Sequence, residues 1–219
     1  MSEKAARGGV PAASDPSDRP PPMWVDDHLA LDFLNSTAAP RGTPIEWIAN
    51  GQALITWLAD AKALDPSDAE RILAQFSARE LDQAARDGVA LREWFREVLV
   101  RAKARGIGSL RRADIDRLNN VLTRDAAYHR IECVKDGGLR LVAGRSWRKP
   151  DDLLVPLAAA MADLLCDGDL NLVRHCENPP CTMWFYDRTK GHRRRWCSQA
   201  VCGNRAKVAA FRDRQKRKS

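Results

Sequence analysis

The sequence predicts a mainly α-helical fold with one β-hairpin, ending in a small treble-clef-like module built on four cysteines. Three observations lead there. Capping-box starts recur ahead of apolar residues at helical spacing, and two strand-like segments flank Asp136-Gly137-Gly138. Two C-x4-C pairs, Cys176/Cys181 and Cys197/Cys202, stand fifteen residues apart near the C-terminal end.

A length of 219 residues suits one modest domain with an appendage, and 44% hydrophobic residues suffice for a core. No apolar run approaches the ~20 residues of a membrane span, which excludes a membrane-spanning class. The first residues lack an apolar signal core, so a cytoplasmic protein with reduced thiols is expected. Residues 1–22, with Gly8-Gly9, scattered serines and Pro20-Pro21-Pro22, read as a disordered leader. Residues 23–170 read as a mostly helical domain, and 171–219 as a zinc finger with a basic C-terminal helix.

The helical domain opens at Met23-Trp24, with Leu29, Leu31, Phe33 and Leu34 as core and Asp27, Asp32 and Asn35 embedded among them. Asp32 and Asn35 share a helix face and are either a ligand-facing pair or satisfied caps and buried hydrogen bonds. Thr43-Pro44-Ile45-Glu46 has capping-box spacing and predicts a helix to about Ala63, carried by Trp47, Ile48, Leu54, Ile55 and Leu58. Ser67-x-x-Glu70 and Ser77-x-x-Glu80 repeat the pattern. The second opens a long helix with Leu91, Trp94, Phe95, Val98 and Leu99, stopped by Gly106 and Gly108. A shorter helix spans about Ser109 to Leu122. Arg130–Lys135 and Leu139–Ala143 form the hairpin, and a last helix of the domain covers about Asp152 to Cys166. Cys133 and Cys166, beyond the two pairs, are expected to be buried small hydrophobes.

Four thiolates in paired spacing supply a closed tetrahedral shell for one structural zinc ion, with Cys176, Cys181, Cys197 and Cys202 as ligands. The alternatives, four ordinary buried cysteines or two disulfides, sit poorly with a basic chain that lacks an export signal. Met183-Trp184-Phe185-Tyr186 reads as a strand. A turn at Thr189–His192 returns the chain through Arg193–Trp196 as its partner. Ser198 is the candidate N-cap of a final helix, with Val208 and Phe211 as an apolar edge. A closed shell leaves no position for a reactive water, so the metal is structural and not catalytic.

From Arg188 to Ser219 there are twelve Lys or Arg and one acid, a local net of +11 against +7 for the whole chain. Residues 1–187 therefore carry −4, and the basic character is confined to the finger. Such density on a metal-held module is the footprint of a phosphate-backbone binder.

The Cys202-Gly203-Asn204-Arg205 phrase, with its upstream cysteines and the 183–186 aromatic run, resembles a CGNR zinc finger. Leu29-Ala-Leu-Asp-Phe-Leu-Asn-Ser-Thr37 resembles the opening of the ABATE domain that usually precedes that finger. The two resemblances cover about residues 24–214. They imply a bacterial stress-induced transcription regulator with zinc-dependent DNA binding assigned to the finger.

On that reading duplex DNA is the partner. Arg193, Arg194, Arg195, Arg212, Arg214 and the terminal lysines meet phosphates. Asn204, Arg205 and Lys207 sit where a helix start reaches bases or close phosphates, and Arg205 is equally suited to bonding carbonyls of the zinc knuckle. The helical domain senses a small-molecule effector or forms a homodimer, with a candidate pocket from Trp24, Asp32, Asn35, Trp47, Trp57 and Trp94. Two other classes remain: an RNA-binding or ribosome-associated factor that stacks bases on residues 183–186, and a small-molecule-binding protein with an accessory finger. No nucleophile, base and orienter assemble in the sequence, so no enzyme is expected.

Overall fold

The computed structural model describes residues 20–25, 28–39 and 43–217. Most of the leader expected over residues 1–22 lies outside these, as do Asp27 and Lys218. Seven α-helices and three two-stranded antiparallel sheets follow one another among the described residues.

Helix α1 (Leu29–Leu34) is short and almost fully buried, and the Nδ1 atom of His28 caps it by accepting the amide of Ala30. Strands β1 (Thr37–Ala38) and β2 (Ile45–Glu46) pair antiparallel. Helices α2 (Gly51–Asp60) and α3 (Pro66–Gln75) precede the long α4 (Ala78–Arg105). Helix α5 (Arg112–Leu122) leads into the hairpin of β3 (Ala127–Cys133) and β4 (Leu139–Arg145), and α6 (Val155–Cys166) closes the helical body. The chain then forms β5 (Val173–His175), β6 (Trp184–Tyr186) and α7 (Asn204–Lys216).

Helix α4 is the spine. Its start carries the capping box seen in the sequence, with Ser77 and Glu80 bonding each other's backbone amides. Its end is set by Gly106 at φ 81°, a conformation that favours glycine. Leu81, Leu91, Phe95 and Leu99 lie buried along its inner face. The first turn of α2 abuts it so closely that a Cβ on Gly51 would lie 2.3 Å from the Cβ of Leu81. Only glycine permits that crossing. The core runs on from these helices through α1 and α6 into Val173, Met183, Phe185 and the four clustered cysteines.

Several sequence expectations change. Thr43–Glu46 does not start a helix: α2 begins at Gly51, capped by Asn50, and Ile45–Glu46 is strand. The reason is Arg92, whose side chain is 2% exposed and needs counter-charge. Its guanidinium donates to Glu46 Oε1 at 2.8 Å and Oε2 at 2.6 Å, to Ser36 Oγ at 2.8 Å and to Glu93 at 2.8 Å. Burial opposes that charge, yet the bonds to Glu46 and Glu93 raise the Arg92 pKa above its ordinary value. Helix α3 is capped by Asp65, with Ser67 bonded to it, not by Ser67. Helix α5 starts at Arg112, after a 3-10 turn at Ile107–Ser109. Cys133 and Cys166 are exposed, not buried: one ends β3, the other ends α6.

Arg92→Ala is expected to lower stability by about 3 kcal/mol. That is the low end for removing one partner of a buried ion pair, because Glu46 keeps some contact with water. Replacing Arg92 and Glu46 together by leucine is expected to recover most of the loss. Urea unfolding of the two variants measures both.

Candidate metal centre and basic surface

The metal centre is built by three short pieces of chain. Strand β5 ends at His175 and delivers Cys176, whose amide donates to the Met183 carbonyl at 2.9 Å. A tight turn over 178–181, closed by Cys181 N–H to Asn178 O at 2.8 Å, returns Cys181 beside it. Cys197 and Cys202 arrive around Ser198, whose hydroxyl caps a π turn at Gln199–Gly203 by accepting the Val201 amide. The expected N-cap is thus present, and α7 continues from the π turn. Strand β6 is a correction: it pairs with Val173–His175, and not with Arg193–Trp196, which is irregular.

All four sulfurs are buried and lie within 4.8 Å of one another. Cys181 and Cys197 are 3.8 Å apart, and Cys197 and Cys202 are 3.6 Å apart. Zn–S bonds of about 2.3 Å in a tetrahedron put sulfurs about 3.8 Å apart, whereas a disulfide needs about 2.05 Å. The arrangement fits one structural zinc ion and no disulfide. Without a cation the cluster resists ionising as a set. An S–H bond from Cys197 stabilises the Cys181 thiolate and lowers its pKa. Donating that bond, together with burial and the Cys181 charge, raises Cys197. Burial and the same charge push Cys202 up to about 11. A divalent cation resolves this by neutralising the thiolates together. Asn178, itself buried, points its amide at the Cys202 sulfur from 3.6 Å. His175 is not a ligand: its Nδ1 lies 3.2 Å from the Cys176 carbonyl, and its ring meets Trp184 edge-on.

The three consecutive arginines, alike in sequence, have different surroundings. Arg194 turns inward: its Nε donates to Trp196 O at 3.1 Å and its Nη2 to Cys197 O at 2.6 Å, with the guanidinium 4.5 Å over the Phe185 ring. Arg193 is exposed, and Arg195 is exposed with Glu177 at 2.5 Å and the Trp196 ring at 4.9 Å. Asp187, fully buried, accepts from the Arg194 amide and from Thr189, which fixes the loop that carries them. The inward arginine and the buried aspartate were not distinguishable in the sequence.

Helix α7 buries no residue. Asn204, Lys207, Arg212 and Arg214 are exposed along it, while Arg205 is half-buried and interacts within the chain. The run 183–186 is largely a packing element. Met183 and Phe185 are fully buried, and Trp184 has its backbone held by Asn35, leaving no continuous platform for stacking bases. The six candidate pocket residues are brought together only in part. Trp47 and Trp57 line a cleft of about 250 Å³ beside Pro20–Pro22, whereas Trp94 lines another of about 500 Å³. Asp32 accepts the Val25 amide, and Trp24 packs on Trp57. Asn35 bonds both the amide and the carbonyl of Trp184 at 2.8 Å.

Residues 27–168 match the family ABATE, described as "Putative stress-induced transcription regulator", and residues 173–215 match the CGNR zinc finger. Neither description is that of an enzyme. No curated protein matches the chain. No helix among the described residues is long and apolar enough to cross a membrane.

Metal analysis of the purified chain is expected to give one zinc per chain. Because ligation needs thiolates, zinc should be held at neutral pH and released as acid protonates the sulfurs, with Cys202→Ser losing it at every pH. Arg194→Ala is expected to weaken zinc retention and to destabilise the finger by about 1–3 kcal/mol, since it orphans two carbonyls. Arg193→Ala should leave both unchanged. Competition with a chromophoric chelator, followed across pH, separates these outcomes.

Proposed function

The chain belongs to the ABATE family and ends in a CGNR zinc finger, and on that footing we propose that it is a DNA-binding transcription regulator. The observation that carries this reading is the exposed basic helix. Helix α7 rises directly from the metal knuckle, has no fully buried residue, and carries cations at Lys207, Arg212, Arg214 and Lys216, with Arg217 at its C-cap. A metal-bound turn would fix the start of the helix, so that in this reading these charges act as one shaped surface together with Arg193 and Arg195. In this reading Arg193, Arg195, Arg212, Arg214 and the terminal lysines meet phosphates. Asn204 and Lys207, exposed in the first turns, are the candidates for base edges or close phosphates. Arg205 and Arg194 act within the finger, Arg194 by tying its carbonyls.

The helical body would adjust the finger in response to a small-molecule effector. Its contact with the finger supports that division of labour. Besides Asn35, the Ala39 amide donates to Thr182 Oγ1 at 2.9 Å, and Lys103 donates to the carbonyls of Leu170 and Val173. A shift of α1 or α4 would therefore move β5 and β6, which carry the first ligand pair. The RNA-stacking alternative lacks an exposed aromatic platform, so duplex DNA is the partner proposed.

Fluorescence anisotropy with random duplex DNA tests the reading. Affinity is expected to fall by roughly 10³-fold or more between 50 and 200 mM salt if about six phosphates are neutralised. Zinc removal should abolish binding. The pair Arg193→Ala/Arg195→Ala should reduce the log–log salt slope by about two without loss of zinc. Binding that is flat in salt, or unchanged in that pair, would sink the proposal.

A further inference from the structure

The β3–β4 hairpin presents its apolar face outward. Ala127, His129, Ile131 and Cys133 alternate onto one side of β3, opposite Arg145, Ala143, Leu141 and Leu139 of β4. Ile131, Leu139 and Leu141 are 68%, 72% and 67% exposed. The opposite side carries Tyr128, Gly144 and Val142 beside an ion-paired set in which Glu132 bonds Arg130 and Arg140. Two ionisable groups share the apolar side: His129, which is exposed, and Arg145, which is held by Asp125 at the base of the hairpin. A two-stranded ribbon with a bare apolar face is unstable in water by itself, and among the described residues no helix packs extensively across it.

A second bare apolar surface lies on the body. The cleft of about 500 Å³ between α4, α5 and α6 is lined by Trp94, Ile107, Leu110, Ile115, Leu118 and Leu165. Ile107 and Ile115 are nearly half exposed at its mouth. Its one acid, Asp114, is buried and bonded by both Arg101 and Arg111, which hold its carboxyl well below the usual carboxylate range. None of Ile131, Leu139 and Leu141 lines this cleft, so the chain does not cover it with its own hairpin.

We infer that the chain forms a twofold dimer by arm exchange, the apolar face of each hairpin lying in the α4–α5–α6 cleft of the other copy. The occupant is a second copy because the chain itself carries both complementary surfaces, each apolar and each with its charges already paired. Area argues the same way. A stable interface takes about 800 Å² from each partner, more than three aliphatic side chains of one ribbon supply. A twofold operation engages arm and cleft of both chains and so doubles the contact. The inference does not depend on DNA binding.

Sedimentation of the full chain tests it. The wild type is expected to be a dimer at tens of micromolar. Leu141→Glu on the arm and Ile115→Glu in the cleft should each raise the dimer dissociation constant roughly a hundredfold or more. Both positions are exposed in one chain, so both variants should keep zinc and helix content. Leu73→Glu, at an exposed apolar site on α3, should stay dimeric. A wild type that stays monomeric throughout overturns the inference, and so does an Ile115→Glu chain that still dimerises.

Discussion

Four sulfurs buried within 4.8 Å of each other form a constraint that the last fifth of the chain cannot satisfy alone. Their negative charges repel in a dry setting, and only a cation at the centre lets all four ionise together. Everything local serves that geometry. The turn at 178–181, the π turn capped by Ser198 and the amide of Asn178 all aim at the tetrahedron. Arg194 holds two carbonyls of the loop between the ligand pairs, and Asp187 fixes the backbone that carries Arg194. Helix α7 takes its direction from the last of these turns, so the placement of the basic surface follows from the metal.

The finger and the helical body share one apolar core. Asn35 acts as a strand edge for Trp184, offering acceptor and donor as a neighbouring backbone would. Phe185 and Met183 complete the packing around α1, and Lys103 caps carbonyls where the body passes into β5. Two surfaces with different tasks, a basic helix and an apolar body, are therefore held at a fixed relation through buried contacts. Trp184 belongs to the joint more than to any surface that meets a ligand.

What was legible in the sequence was what is decided locally or by strict spacing. The four ligands follow from their pairing. The Ser77 capping box, the stop at Gly106, the Asp-Gly turn and the Ser198 cap all involve residues within a few positions of one another. What was hidden depends on partners far along the chain. Thr43–Glu46 has the spacing of a helix start, but Arg92 draws Glu46 into a strand facing α4. Strand β6 finds its partner upstream in three residues too few to show a period. Arg193, Arg194 and Arg195 carry the same charge in sequence, and only the fold turns the middle one inward. Cys133 and Cys166 sit among apolar neighbours, which suggested burial, yet the surfaces they belong to are left open in a single chain.

The bond between Asn35 and Trp184 spans 149 residues. Ala30, Phe33 and Leu34 of α1 are fully buried, in part against α6 and β6, which are made much later. At a synthesis rate of about 5–20 residues per second, α1 must wait roughly 7–30 s before its final neighbours leave the ribosome. During that interval its apolar face stands open, available to chaperones or to aggregation. Helix α1 is thus made early and is among the last to be settled.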